Sequence, residues 1–240
     1  DKINPKELKK SIQAEESRGV HGPQRGPVSI TQITEKGQVY TLNEIKELTQ
    51  IAKEFKLPVH MDGARFANAL VSLGCTAAEM TWKAGVDVVS FGGTKNGLMG
   101  VEGVIFFDPQ KAWEFELRRK RAAHLFSKHR YLSAQMLAYL ENDLWIELAG
   151  KANKSASRLI AGLKEIEKVE FLVEPKANLI FVKMPAYMHR KAFAKGLEYY
   201  TWSEIDGVSD DTPVVARFVV DWSRSLSDID KFLEIMRNAA

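Results

Sequence analysis

Two short apolar runs, each ending at a polar group that chemistry can use, constrain this chain more than any other feature. The first, Pro58–Met61, runs into Asp62, Gly63, Ala64 and Arg65. The second, Val86–Phe91, runs into Gly92, Gly93, Thr94 and Lys95. A helix-length segment separates them, so the unit reads strand, helix, strand. A crossover this short favours parallel pairing and sets the carboxyl ends of both strands on one edge of the sheet. Ligands of open α/β sheets sit at that edge. Asp62, Arg65 and Lys95 are therefore expected around one pocket.

The rest of the chain fits an α/β architecture. Asn4 and Pro5 open a helix with Pro in its first turn, and Leu8 and Ile12 share one face of it. Val28–Ile33 alternates like a strand. Thr41 and Glu44 make a capping box for a helix over 42–56, which places Ile45, Leu48, Ile51, Ala52 and Phe55 on one face. Beyond Lys95 come a strand over 102–107, a long helical tract over 110–148 broken near 126–129, and a helix over 150–168. Strands over 169–173 and 178–184, a helix over 187–197 and an irregular stretch over 198–213 follow. A strand over 214–222 and a helix over 226–238 finish the chain. The expected fold is α/β, with a three-layer large domain over 1–148 and a small α+β domain over 149–240.

Composition narrows the function classes. With 240 residues and 45% hydrophobic content, the chain can bury a sizeable core. A net charge of +3 is too mild to argue for nucleic acid. The basic run Arg118–Arg121 lacks an accompanying aromatic platform and reads as a solvated helix face or a stripe near a subunit contact. His124 and His129 follow it; either could carry a proton, as histidine side chains do, but both read as helix-surface histidines. No apolar run approaches the roughly 18–20 residues that span a bilayer. Asp1–Lys10 is charged and polar, unlike a signal peptide. Cys75 is the one cysteine, which rules out an internal disulfide and a cysteine metal cluster. The expectation is a cytoplasmic protein with a small-molecule ligand and neither a nucleic-acid nor a membrane partner.

Each candidate group has an ordinary explanation when taken alone. A lysine two residues after Gly-Gly at a strand end sits where the backbone can approach a ligand, and partial burial would make it a usable amine nucleophile. Alone, Lys95 reads as a solvated loop lysine. Asp62 can hold a protonated heteroaromatic nitrogen and Arg65 can donate to a ring oxygen, or they are a helix-start acid and a surface arginine. His60 shares a strand face with Asp62, but no third metal ligand accompanies them, so His60 reads as a packing residue. Together, a carboxylate for a pyridinium, an arginine for a ring oxygen and an amine for an aldehyde are what pyridoxal phosphate needs.

The motifs around these residues carry a specific resemblance. HMDGARFANAL followed by VDVVSFGGTKNG is similar to the low-specificity L-threonine aldolase family, pyridoxal phosphate enzymes of the aspartate-aminotransferase-like fold. The likeness extends from VSITQITEKGQVYTLNEI through RFVVDWSRSLSDIDKFL. It implies a carbon–carbon lyase that cleaves L-threonine and L-allo-threonine to glycine and acetaldehyde. It implies that Lys95 bonds the cofactor's aldehyde, Asp62 pairs with its pyridine nitrogen and Arg65 contacts its ring oxygen. Arg217, in ARFVVDW, matches the arginine for the substrate's α-carboxylate, a task its bidentate fork suits. On the residues alone, Arg217 is also a charged group on an exposed strand face. Arg130, in SKHRYLSAQ, resembles an arginine that reaches the cofactor phosphate of a neighbouring subunit. The resemblance further implies a homotetramer, a dimer of dimers with shared active sites. The family pattern begins ahead of the point matched by Asp1, with a glycine-rich phosphate turn, a ring-stacking aromatic residue and a carboxylate-binding serine. An N-terminally truncated form is the expectation. The alternatives are a related lyase for other β-hydroxy-α-amino acids such as phenylserine, and a fragment that only folds or assembles.

Overall fold

The computed structural model describes residues 2–16 and 18–240. Asp1, from which the family resemblance is counted, lies outside the described residues. In chain order, helix α1 (Pro5–Glu16) and strand β1 (Val28–Thr31) lead into helix α2 (Leu42–Glu54) and strand β2 (Val59–Gly63). Helices α3 (Phe66–Leu73) and α4 (Ala77–Met80) then connect to strands β3 (Val88–Gly92) and β4 (Glu102–Phe106). Helices α5 (Ala112–Arg121), α6 (Arg130–Leu140) and α7 (Leu144–Lys164) follow. The remainder is β5 (Glu170–Phe171), β6 (Leu179–Pro185), α8 (Ala186–Ala194), β7 (Tyr200–Thr201), β8 (Pro213–Val219) and α9 (Leu226–Ala239).

The first sheet has the order β1-β2-β3-β4. Strands β1, β2 and β3 run parallel, as the strand–helix–strand unit predicts, and β4 returns antiparallel. Alternation along the strands turns Val28, Ile30, Val59, Met61, Val89 and Phe91 to one side, where all are buried. Ile12, Ile45, Leu48, Leu70, Met80 and Tyr139, from five helices, pack against that side. Each aliphatic side chain buried this fully contributes about 1.5–3 kcal/mol relative to an exposed one. On the opposite face Ser29 is exposed and His60, Asp62 and Ser90 are half-buried. Of the three expected layers, this chain forms the sheet and the helical layer over its apolar face.

Local signals set the helix starts. The Thr41 hydroxyl accepts from the Glu44 amide at 3.2 Å, and the Glu44 carboxylate accepts from the Thr41 amide at 2.7 Å. That is the expected capping box, and α2 follows it. At α1, the Asn4 side-chain oxygen accepts from the amides of Lys6 and Glu7.

The second sheet, β5-β6-β8-β7, is antiparallel throughout. Its Ile180, Val182, Met184, Ala216 and Phe218 face Leu159, Leu163, Met188, Leu233 and Met236 of α7, α8 and α9 in a second core. Three expectations change here. The strand expected over 169–173 shortens to Glu170–Phe171, and the stretch expected to be irregular contains β7. The break expected at residues 148–150 is absent, because α7 runs for 21 residues straight through Gly150. One helix serves both cores: Trp145 and Leu148 pack on the first, and Ala156, Leu159 and Leu163 belong to the second. That packing outweighs the roughly 1 kcal/mol a mid-helix glycine costs.

Candidate active site

Three consecutive parallel strands bring their carboxyl ends to one edge, and each end leads into a turn. The turn after β1 carries Glu35 and Lys36, the turn after β2 carries Arg65, and the turn after β3 carries Lys95. All four line a cavity of about 400 Å³ together with Leu179, Phe181, Tyr200 and Arg217 from the second sheet and Trp202 just after β7.

Two glycines make the edge possible. A Cβ on Gly92 would lie 2.5 Å from the Ala64 carbonyl oxygen, and one on Gly93 would lie 2.7 Å from that of Val101. Glycine lets the Lys95 turn approach the Asp62–Arg65 turn this closely. Lys95 itself rides on a single 3₁₀ turn, Thr94–Asn96. The Glu102 carboxylate holds that turn from one side, accepting from the amides of Gly93 at 3.2 Å and Thr94 at 3.1 Å. Asn96 anchors it from below, donating to the Tyr139 hydroxyl and to the Trp145 carbonyl oxygen at 2.8 Å. Behind it, Phe91 stacks edge-on against Phe66 and Trp145, with centroids 5.5 and 5.6 Å apart. Lys95 is exposed, as a loop lysine at the rim of the sheet is.

Asp62 lies near the end of β2, half-buried, with Oδ1 accepting from the Ala64 amide at 3.0 Å. Arg65 is half-buried, and its Nε is buried without a hydrogen-bond partner among the described residues. Burial pushes the Arg65 guanidinium below its ordinary pKa, and the nearby Arg217 pushes it further. Glu35 and Asp62 oppose that shift. An unsatisfied buried donor costs about 1–3 kcal/mol, so an acceptor placed against Nε is strongly favoured.

Arg217 comes from the middle of β8. Register aligns Phe181, Arg217 and Tyr200 across β6, β8 and β7, which makes them one row. Trp202 packs on Phe181 with centroids 5.0 Å apart. Of the three residues expected around one pocket, Arg65 and Lys95 line this cavity together with Arg217, whereas Asp62 does not line it; Glu35, Lys36, Leu179, Phe181, Tyr200 and Trp202 line it without having been expected there. Strand β1 held a signal for two of them, since a third parallel strand must end on the same edge. Tyr200 and Trp202 had none, because their segment has no periodicity. Trp145 packs against the first core, and Trp202 lines the cavity.

The other candidates lie apart. His60 is held between two serines, with Nδ1 2.8 Å from Ser29 Oγ and Nε2 2.8 Å from Ser90 Oγ. It braces the polar face of the sheet, as a packing residue would. Arg130 begins α6, is exposed, and lies over the Tyr131 ring at 5.3 Å, outside the cavity.

These features define an α/β protein with a mixed sheet and a cationic site at its parallel edge. The same fold occurs in the threonine aldolase of Leishmania major, with a TM-score of 0.89 at 24% identity, over 100% of this chain and 68% of that one. Residues 1–186 match the beta-eliminating lyase family, and the chain belongs to that family. It is 41% identical over 203 residues to the low specificity L-threonine aldolase of Pseudomonas sp., covering 85% of this chain and 56% of that protein. The Pseudomonas aeruginosa low specificity L-threonine aldolase is 37% identical over 219 residues, covering 91% of this chain and 60% of that protein. The chain thus spans 56–60% of the length of these curated relatives.

Proposed function

We propose that this chain carries the cofactor lysine and the substrate arginine of a pyridoxal phosphate enzyme that cleaves L-threonine and L-allo-threonine to glycine and acetaldehyde. The observation that carries this proposal is the convergence of Lys95, Arg65 and Arg217 on one cavity, with the Arg65 Nε–H buried and without an acceptor among the described residues. That N–H suits a ring oxygen of the cofactor. The Asp62 carboxylate suits a protonated pyridine nitrogen, and the exposed Lys95 amine suits an aldehyde. When bound, pyridoxal phosphate supplies an electron sink for the pair left on Cα as the Cα–Cβ bond breaks.

The chain's own residues act by position. Asp62 keeps the proton on the ring nitrogen by charge attraction. Arg217 receives the α-carboxylate with its two-pronged guanidinium and so orients the Cα–Cβ bond. Arg65 fixes the ring through the donor that otherwise has no partner.

An assembly belongs to the same proposal. Arg130 would reach the cofactor phosphate of a neighbouring subunit within a dimer of dimers. Its neighbours along the chain support this, because Phe126, Tyr131 and Leu137 are all exposed. Subunits cover apolar surface of this kind. The enzyme would act in the cytoplasm, in amino-acid metabolism that yields glycine. No described helix is long and apolar enough to cross a membrane.

Release of glycine and acetaldehyde from L-threonine and L-allo-threonine tests the activity. Lys95→Ala is expected to abolish it. Arg217→Ala is expected to raise KM by at least ~10-fold, the loss of a charge-assisted pair. Normal turnover by Lys95→Ala would contradict the proposal.

A further inference from the structure

Four cations share the cavity wall, and the proposed function gives a task to three of them. Lys36, Arg65, Lys95 and Arg217 line it against one lining carboxylate, Glu35. In the proposed function Arg65 serves the cofactor's ring oxygen, Lys95 its aldehyde, and Arg217 the substrate's α-carboxylate. The charge of Glu35 already acts on Arg65, where it opposes the effects of burial and of Arg217. Lys36 remains on the cavity wall as a cation without an assigned task.

The backbone fixes Lys36 there. The Thr34 amide donates to the Gln38 carbonyl at 2.9 Å, and the Gly37 amide donates to the Thr34 carbonyl at 3.0 Å. The Thr34 hydroxyl accepts from the Gln38 amide at 3.0 Å, closing the turn from inside. Gly37 is buried with φ at +88°, and a Cβ there would stand 2.2 Å from the Leu179 carbonyl oxygen of β6. The turn is therefore wedged between the two sheets, with Glu35 and Lys36 at its tip over the cavity they share. A flexible loop would spread the lysine's charge over solvent, whereas this one concentrates it at the site.

We propose, building on the cofactor chemistry above, that the site accepts β-hydroxy-α-amino acids bearing a second carboxylate on the β-carbon, with Lys36 as the counter-charge for that group. The simplest such substrate is 3-hydroxyaspartate. Its cleavage balances without a co-reactant: the Cα–Cβ bond breaks, the β-hydroxyl loses its proton and becomes a carbonyl, and Cα gains a proton. The products are glyoxylate and glycine, with no net oxidation or reduction. Arg217 and Lys36 then hold the two carboxylates from opposite sheets.

Calorimetric titration of the chain without cofactor, using 3-hydroxyaspartate and L-threonine in turn, tests this directly. At low ionic strength 3-hydroxyaspartate should bind at least ~10-fold more tightly, and the advantage should shrink at ~0.5 M salt as screening sets in. Lys36→Gln should bring the ratio of the two affinities close to one. Glu35→Gln should tighten binding of the dicarboxylate more than that of threonine. Lys36 is exposed, so its substitution leaves the fold intact, and an unchanged circular dichroism spectrum verifies that. Equal affinities in the parent chain overturn the proposal, as does an advantage that survives in Lys36→Gln or a failure of 3-hydroxyaspartate to bind by ~10 mM. These measurements need no cofactor, so they separate from the cofactor chemistry, whose own failure would show as a Lys95 that pyridoxal phosphate does not label.

Discussion

The two sheets build one cavity in opposite ways. The first contributes residues that follow strand ends, so Glu35, Lys36, Arg65 and Lys95 each depend on the turn that holds them. The second contributes a face, on which Phe181, Arg217 and Tyr200 form a row set by strand register. A turn residue is placed by close backbone approaches and caps around it. A face residue is placed by the whole sheet, because a slip of one residue would send it to the other side. Single substitutions should therefore act sharply in the first sheet, while in the second they should act through its core.

The largest effect is expected at Gly92. In Gly92→Val the side chain must enter the space of the Ala64 carbonyl, 2.5 Å away, and the cost should be about 3 kcal/mol in urea denaturation. Wild-type stability in that variant would break the contrast, since the close approach would then not be what fixes the edge. Gly37→Ala tests the contact between the sheets. Its positive φ and the 2.2 Å approach to Leu179 should together cost about 2 kcal/mol and loosen the Glu35–Lys36 turn.

Asn96→Ala sharpens the account of the Lys95 turn. It removes donors to the Tyr139 hydroxyl and the Trp145 carbonyl and should cost about 1–2 kcal/mol by the same measurement. Thr41→Ala should cost about 1 kcal/mol through the lost cap of α2.

The last effect belongs to the second core and vanishes at neutral pH. His189 is fully buried, with Nε2 donating to the Val214 carbonyl and Nδ1 accepting from the Tyr199 hydroxyl, both at 3.2 Å. Burial pushes its pKa below the ordinary value, so the unfolded chain binds a proton that the folded chain resists. The stability this group supports is present above about pH 6.5, the unfolded histidine value, and is lost as pH falls below it. His189→Gln should flatten the pH dependence of denaturation between neutral and mildly acidic solution.

The contrast between the sheets also decides what could be read from sequence. Asp62 and Lys95 were legible because apolar runs and glycines mark the ends of β2 and β3, and a short crossover leaves the edge little choice. The capping box at Thr41 was legible because its contacts span only three residues. Gly150 misled, since the two cores that straddle α7 are tertiary facts that override its local propensity. Tyr200 and Trp202 were invisible as site residues, because a two-residue strand is too short for periodicity and owes its position to β8. The buried, unpartnered Nε of Arg65 is likewise a consequence of packing that no spacing could reveal.

The most direct test of the central claim is titration of the 240-residue chain with pyridoxal phosphate, followed by borohydride reduction and mapping of the modified lysine. The account predicts saturable binding and a label on Lys95, weakened by Arg65→Ala. Label scattered over surface lysines, with no saturation, would contradict the claim that this edge is a built cofactor site.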